Sequence, residues 1–303
     1  MLSFSTMWAQ QPRFETDLAA FRRVVASYGF DGIEVSHSTD EAGLAVLTGA
    51  GEIALTSLHA PTPRRKLADG RMNGDANLAS TDATERALAV AETKRTLDYA
   101  SRRGLPKVVL HLGGVGNSMT ELERGLRRLV EGGEGAGGEA SQAREELSRW
   151  RREHAGAYLE AAKRSLRELV DYAAPLGVAI GLESRLHYHE IPHPDEALEL
   201  LQGYGADEAG YWHDVGHCEV QARLGMIDRA AWFPTLTSRT IGAHLHDVDG
   251  ILDHRAPGAG DVDWAYIAQG LPATALRVFE IDQRQGDEAV KASIEYLRSR
   301  GVV

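Results

Sequence analysis

Eight short aliphatic runs alternate along the chain with longer stretches of helical spacing, and six of those runs reach a histidine or a carboxylate near their end. The runs cover residues 2–6, 33–35, 53–59, 107–114, 179–183, 211–217, 241–246 and 276–282. After the first, Leu18, Phe21 and Val25 recur at helical spacing over residues 15–28, and Gly29 and Gly32 flank the turn that follows. Further helical patterns fall at 41–47, 81–103, 144–174 and 288–300. Strands that are apolar throughout, rather than in alternation, are buried on both faces, as in a parallel sheet covered by helices. Eight such units predict a (β/α)8 TIM barrel forming one domain over residues 1–303. An open doubly wound sheet is the runner-up. Against it, no Gly-x-Gly-x-x-Gly turn follows the first run, and the polar endings recur on nearly every strand instead of at one switch point.

Two segments interrupt the rhythm. Residues 62–80 form a long polar loop carrying Arg64, Arg65, Lys66 and Arg71, whose length suits an active-site lid better than a connector. Residues 131–139 are rich in Gly and Glu and read as a flexible connector between two helical segments. Because strand and helix alternate again afterwards, residues 131–152 are expected to be an insertion after the fourth strand rather than a domain boundary.

Bulk composition removes several classes of function. A chain of 303 residues, 43% hydrophobic, buries a large core. It has no apolar run of membrane-spanning length and no basic start followed by a long apolar centre, so the expected location is the cytoplasm. A single cysteine, Cys218, precludes an intramolecular disulfide and a thiolate cluster, leaving His, Asp and Glu to hold any metal. A net charge of −11 argues against a nucleic-acid or anionic-membrane partner.

In a barrel the C-terminal ends of the strands converge on one mouth, where His59, His111, Glu183, Asp214, His244 and Glu280 would become neighbours. Tyr211-Trp212-His213-Asp214-Val215-Gly216-His217 shows the pattern best, with a carboxylate and an imidazole three residues apart after an apolar strand. These are hard-to-borderline ligands for Mn²⁺, Zn²⁺, Co²⁺ or Mg²⁺. Taken singly, Asp214 could be a helix cap, and His59 or His111 a strand-end residue bonded to loop backbone. Glu183 and Glu280 resist that reading, since each closes an apolar strand where an unpaired charge costs about 3 kcal/mol or more unless a metal or an arginine such as Arg185 compensates it. His244 and His246 share one strand face, so one of them is a ligand and the other lines the pocket wall. Trp8, after the first run, would stack on a sugar face or else pack in its loop.

Gly181-Leu182-Glu183-Ser184-Arg185, His213-Asp214-Val215-Gly216-His217, His244-Leu245-His246-Asp247, Asp253-His254, the run from Pro257 to Trp264, and Phe279-Glu280 resemble the xylose isomerase-like TIM barrel superfamily. The resemblance spans nearly the whole chain and is specific for the superfamily, not for a substrate. Its ketose epimerase branch implies Glu183, Asp214, His244 and Glu280 as metal ligands, the two glutamates doubling as acid and base on opposite faces of the sugar, with His217 on substrate. That fits the chemistry, because moving a proton beside a carbonyl needs a Lewis acid to stabilise the enediolate and a carboxylate within reach of the carbon-bound hydrogen. Arg185, Arg255 or the Arg64-Arg65 pair would hold a phosphate or hydroxyl, and His246 would line the site. The expected activity is that of a sugar or sugar-phosphate isomerase or epimerase, with dehydration of a sugar or inosose as a variant on the same site. The endonuclease IV branch implies instead a multinuclear zinc phosphodiesterase, with His59 and His111 joining Glu183, and His217 and His254 forming a third set. In that third set Leu252 stands where an Asp belongs and Asp253 lies beside it. A barrel that binds a metabolite without catalysis is the non-enzyme alternative. Barrels of this superfamily often pair, which makes a homodimer an expectation as well.

Overall fold

The computed structural model describes residues 1–49, 51 and 53–303. Ten strands are present among them: β1 (Leu2–Ser5), β2 (Gly32–Val35), β3 (Ala54–His59), β4 (Lys107–Leu110), β5 (Ala179–Glu183), β6 (Ala209–Asp214), β7 (Thr240–Leu245), β8 (Asp247–Asp249), β9 (Leu252–Arg255) and β10 (Leu276–Phe279). Eight of them close into a barrel of parallel strands in the order β1, β10, β7, β6, β5, β4, β3, β2. The eight-unit barrel expected from the sequence is the fold observed. The remaining pair, β8 and β9, forms an antiparallel hairpin over the mouth after β7, and no sequence signal pointed to it.

Around the barrel the helices are α1 (Leu18–Ser27), α2 (Glu41–Leu47), α3 (Ala83–Arg102), α4 (Glu121–Glu131), α5 (Gly138–Ala173), α6 (Pro194–Leu200), α7 (Val215–Arg223), α8 (Phe233–Leu236), α9 (Trp264–Gly270) and α10 (Asp287–Ser299). Side-chain caps set several of their starts: Asp17 accepts the Ala20 N–H, and Asp82 accepts those of Thr84 and Glu85. The cap of α7 is Asp214, whose Oδ1 accepts the His217 N–H at 2.7 Å. One carboxylate thereby ends a strand, starts a helix and stands in the mouth.

The segment after β4 contains α4 and the 36-residue α5, joined by a short Gly-rich turn. Arg144 of α5 donates to Leu224 O (2.6 Å) and Gly135 O (2.7 Å), holding this helical pair against the end of α7. Further along α5, the buried Arg151 pairs with Glu196 at 2.6 Å and donates to Tyr188 O and Glu190 O, bracing the loop after β5. The loop over residues 62–80 is also tied down. Asn77 Nδ2 donates to Gly114 O (3.0 Å) and Gly116 O (2.9 Å), and Arg65 forms a bidentate pair with Glu92.

Candidate metal centre

Side chains alternate along a strand, so the inward positions at the mouth are every second residue. Glu34, His59, His111, Glu183, Asp214, His244 and Glu280 all arrive there, from seven different strands or the residues just past them. Glu34, Glu183, Asp214 and His244 are fully buried, and Glu280 is 2% exposed. His244 is the hub. Its Nε2 lies 2.7 Å from Glu34 Oε1, and its Nδ1 lies 3.1 Å from Glu183, 3.2 Å from Glu280 and 3.4 Å from Asp214. Glu34 is anchored in turn by Ser57 Oγ, which donates to its Oε2 at 2.6 Å. With Nε2–H donated to Glu34, the Nδ1 lone pair faces three carboxylates, the arrangement by which an outer carboxylate orients a metal-ligating imidazole.

Two further groups share these carboxylates. His59 Nε2 and His111 Nε2 approach Glu183 Oε2 at 3.0 and 2.7 Å. On the other side, His217 and His254 gather with Asp214 and His246, all four offering ligand atoms within 4.8 Å of one another. Hydrogen bonding assigns roles within that group. His217 Nδ1 is 3.0 Å from Ser184 O, so its proton sits there and Nε2 is free to act as a ligand or acceptor. His246 Nδ1 accepts the His254 N–H at 2.8 Å, so its proton is on Nε2 and is donated to Asp214 Oδ1 at 2.9 Å. His246 is fully buried. It therefore orients Asp214, and neither it nor His217 is among the residues that line the cavity beside the cluster.

The donor set suits a divalent cation on grounds internal to the cluster. Asp214 Oδ2 is buried with no hydrogen-bond partner among the described residues, and His111 Nε2 stands close to Glu183 at an angle that makes no hydrogen bond. His59 Nδ1 lies 3.3 Å from Ala60 O, which turns the Nε2 lone pair toward a carboxylate. Lone pairs pointed at anions in a dry site repel unless a cation stands between them. In the protein alone that cation is a proton. Burial opposes charge on His244, yet Glu280, Glu34 and Glu183 push its pKa well above the usual histidine value. Burial likewise opposes charge on Glu183 and Asp214, but the surrounding histidines hold both far below the ordinary carboxylate range. A fixed divalent ion with hard-to-borderline preferences satisfies the same oxygens and nitrogens without protons.

Beside the cluster opens a cavity of about 420 Å³, lined by His111 and Arg185, which approach Glu183 at 2.7 and 3.6 Å, and by Asn77, Gly114 and His189. The 62–80 loop supplies part of its wall, through Arg71 and Asn73. Other sequence expectations fall away from it. Trp8 is fully buried in an aromatic cluster, 5.6 Å from both Phe4 and Phe14, with Nε1 donating to Gln285 O, so it offers no face to a sugar. Its packing role prevails because the chain turns into a short 3-10 helix at Thr6 and swings the indole behind the barrel rim. Arg64 lines a different cleft near Thr39, and Arg65 is committed to Glu92. Arg255, on β9, lies outside the cavity lining and keeps a buried Nε without a partner among the described residues.

Sequence reasoning overlooked Glu34, although it too is a carboxylate near the end of a short apolar strand, the same signal that singled out Glu183. It overlooked His37 as well, whose ring lies 4.9 Å from that of His59 and whose pKa burial lowers to about 4, and Glu190, which pairs with Arg185 at 2.7 Å. At the third group, Leu252 is exposed at the hairpin tip. Asp253 turns inward in its place, with Oδ2 3.1 Å from His254 Nδ1 and 3.8 Å from His217 Nε2.

Residues 22–300 match the family model described as xylose isomerase-like TIM barrel. An uncharacterized protein, y4fM of Sinorhizobium fredii, is 22% identical over 266 residues, covering 87% of this chain and 69% of that protein. Among solved structures, the D-psicose 3-epimerase of Clostridium cellulolyticum H10, determined with D-tagatose, superposes with a TM-score of 0.65 at 16% identity, covering 100% of this chain and 99% of the other. The TTHB071 protein of Thermus thermophilus, soaked with ZnCl2, gives 0.59 at 21% identity over 99% and 96%.

Proposed function

The chain belongs to the xylose isomerase-like TIM barrel family, and from that premise we propose that it is a divalent-metal-dependent isomerase or epimerase of a small sugar. The observation that carries the reading is the convergence of Glu183, Asp214 and Glu280 on His244 Nδ1, with Glu34 fixing the far side of the ring. Glu183, Asp214, His244 and Glu280 would hold the ion. When bound, the ion supplies a Lewis acid for the negative charge that grows on oxygen as a neighbouring carbon loses its proton.

The chain's own residues do the rest. Glu183 and Glu280 come from strands β5 and β10, separated in the barrel by β6 and β7, and so address a substrate from two sides. One carboxylate removes the carbon-bound proton and the other returns a proton to the opposite face, which is epimerisation; return at the neighbouring carbon is isomerisation. His217, with Nδ1 tied to Ser184 O, presents Nε2 to a substrate hydroxyl. Arg185, held by Glu190 at 2.7 Å, lies 3.6 Å from Glu183 and lines the cavity. Sugar 3-epimerases stand among the structural neighbours, which supports this class of reaction.

A second reading is favoured by a specific observation: His59, His111 and Glu183 form one ligand group, and Asp214, His217 and His254 fall in another, with Glu183 and Asp214 shared with the central set. Adjoining groups of this kind would suit a multinuclear hydrolase. Metal content per chain separates the two. The isomerase reading expects one ion, lost in Glu183→Gln and kept in His111→Ala, together with deuterium uptake from D2O into a ketose. Two or three zinc ions, reduced by His111→Ala, without such uptake, would replace it by the hydrolase reading.

A further inference from the structure

We infer that His189, faced by Glu123 of α4, is a specificity-determining contact in the wall of the cavity, where it receives an uncharged, hydroxyl-bearing part of the substrate and disfavours a phosphoryl group. The inference rests on the sugar isomerase or epimerase reading and adds to it which end of the ligand is recognised and how.

His189 is 6% exposed and lines the same cavity as His111 and Arg185. Its ring lies close against the loop after β4, where a Cβ added at Gly114 would come 3.1 Å from His189 Cδ2. Its Nδ1 faces Glu123 Oε2 at 3.5 Å, and neither atom makes a hydrogen bond among the described residues. Glu123 itself is fully buried, and its Oε1 accepts the Tyr188 N–H at 3.1 Å. A carboxylate facing Nδ1 places the proton on that nitrogen and leaves Nε2 as a lone-pair acceptor. The same carboxylate meets Arg127 Nε at 3.4 Å and His187 Nδ1 at 3.3 Å through Oε1, so Glu123 ties the loop after β5 to α4 with one oxygen and faces the His189 ring with the other.

An acceptor nitrogen calls for an O–H donor. Arg185, which lines the same cavity, has its Nη1 3.6 Å from Glu183 Oε2 with no hydrogen bond made among the described residues, so its N–H capacity is unused. One acceptor and one donor at the same wall match hydroxyl groups, which serve as both. A phosphoryl dianion has no proton for His189, and no guanidinium among the described lining residues is free to balance its charge. Arg71 is paired with Asp69 and Glu85, both at 2.7 Å, and Arg185 with Glu190 at 2.7 Å and Glu183 at 3.6 Å. Placing a dianion beside these balanced pairs costs desolvation with no new ion pair to offset it.

The test is calorimetric titration of the metal-loaded protein with D-fructose, D-tagatose, D-psicose and L-ribulose, and with the terminal monophosphates of the same sugars. Deuterium uptake from D2O is followed in parallel by NMR. At least one free sugar should bind, with its phosphate ester at least about tenfold weaker. His189→Ala should weaken the free sugar about tenfold, the value of one well-made hydrogen bond. His189→Gln, whose amide oxygen accepts a hydroxyl, should recover part of that loss. Glu123→Gln should raise KM more than it lowers kcat, with the unfolding temperature of all folded variants near that of the parent. Tighter binding of the phosphate esters, or unchanged affinity in His189→Gln and Glu123→Gln alike, would overturn the inference, as would failure of every free sugar to bind. Binding without deuterium uptake would instead overturn the proton-transfer reading and leave the contact standing.

Discussion

Two residues back along their strands from Glu183, Asp214, His244 and Glu280 stand Gly181, Trp212, Gly242 and Val278. The upper set is charged and meets in a ring of short N···O contacts around His244. In the lower set Trp212 and Val278 pack with Val109, Ala179 and Ile241 as an apolar plug inside the barrel. Trp212 lies there because its neighbours have no side chain: a Cβ at Gly242 would fall 2.2 Å from the indole, and one at Gly181 2.7 Å. The plug gains stability from buried apolar area and close packing. The ring above it gathers anions in a dry site and relies on a cation to make that tolerable. One step of the strand pleat thus separates a layer that stabilises the fold from a layer that the fold must support.

The contrast can be broken from either side. The largest effect is expected at the junction of the metal groups: Glu183→Gln should empty the site of metal and lower proton exchange by about 10²–10⁴, while the metal-free unfolding temperature stays level or rises. A large loss of metal-free stability in that variant would mean that the ring carries the fold after all. In the plug, Trp212→Ala should cost about 3–5 kcal/mol in urea or guanidinium unfolding and act on catalysis only through the position of His244, whose ring is 5.4 Å away. Stripping metal from the parent protein should lower stability by about 2.7 kcal/mol relative to the protein at a hundredfold excess of ion over Kd, a difference that calorimetric scans with and without chelator would read. Gly242→Ala, which forces a methyl group against the indole, should cost about 1–3 kcal/mol while leaving metal stoichiometry at the parent value.

The smallest effect sharpens the boundary between ring and support. Burial raises the Glu190 pKa, but Arg185 and nearby histidines outweigh it and hold the carboxyl at about 2. A carboxylate with a lowered pKa contributes stability that is complete above its unfolded value near 4.5 and fades as pH falls toward 2. Glu190→Gln should therefore flatten the fall in unfolding free energy across that window, and an identical pH profile in parent and variant would show that Arg185 is held by other groups.

Much of the site was legible in the chain alone, because an apolar strand that ends in Glu, Asp or His is an energetic oddity and the barrel sends every such end to one mouth. The same signal at Glu34 was present but faint, since the strand Gly32–Val35 has only four residues. The roles of the histidines were out of reach. His244 lies near the end of β7 and His246 follows just past it, and only their hydrogen bonds, to Glu34 in one case and to the His254 N–H and Asp214 in the other, distinguish ligand geometry from support. Trp8 was misjudged for a related reason, because the direction of a side chain after a strand depends on the turn that follows.

What the sequence determined by itself is the alternation of buried strands and helices, the number of units, and the kinds of ligand available, all of which follow from the periodicity and polarity of local stretches. Only the tertiary structure decided which lone pairs face which carboxylates, that Asp253 turns inward where Leu252 turns out, and that Glu123 reaches His189. Those facts depend on contacts between residues tens of positions apart, where a rotation of one side chain exchanges a ligand for a hydrogen-bond donor, and no local pattern encodes that angle.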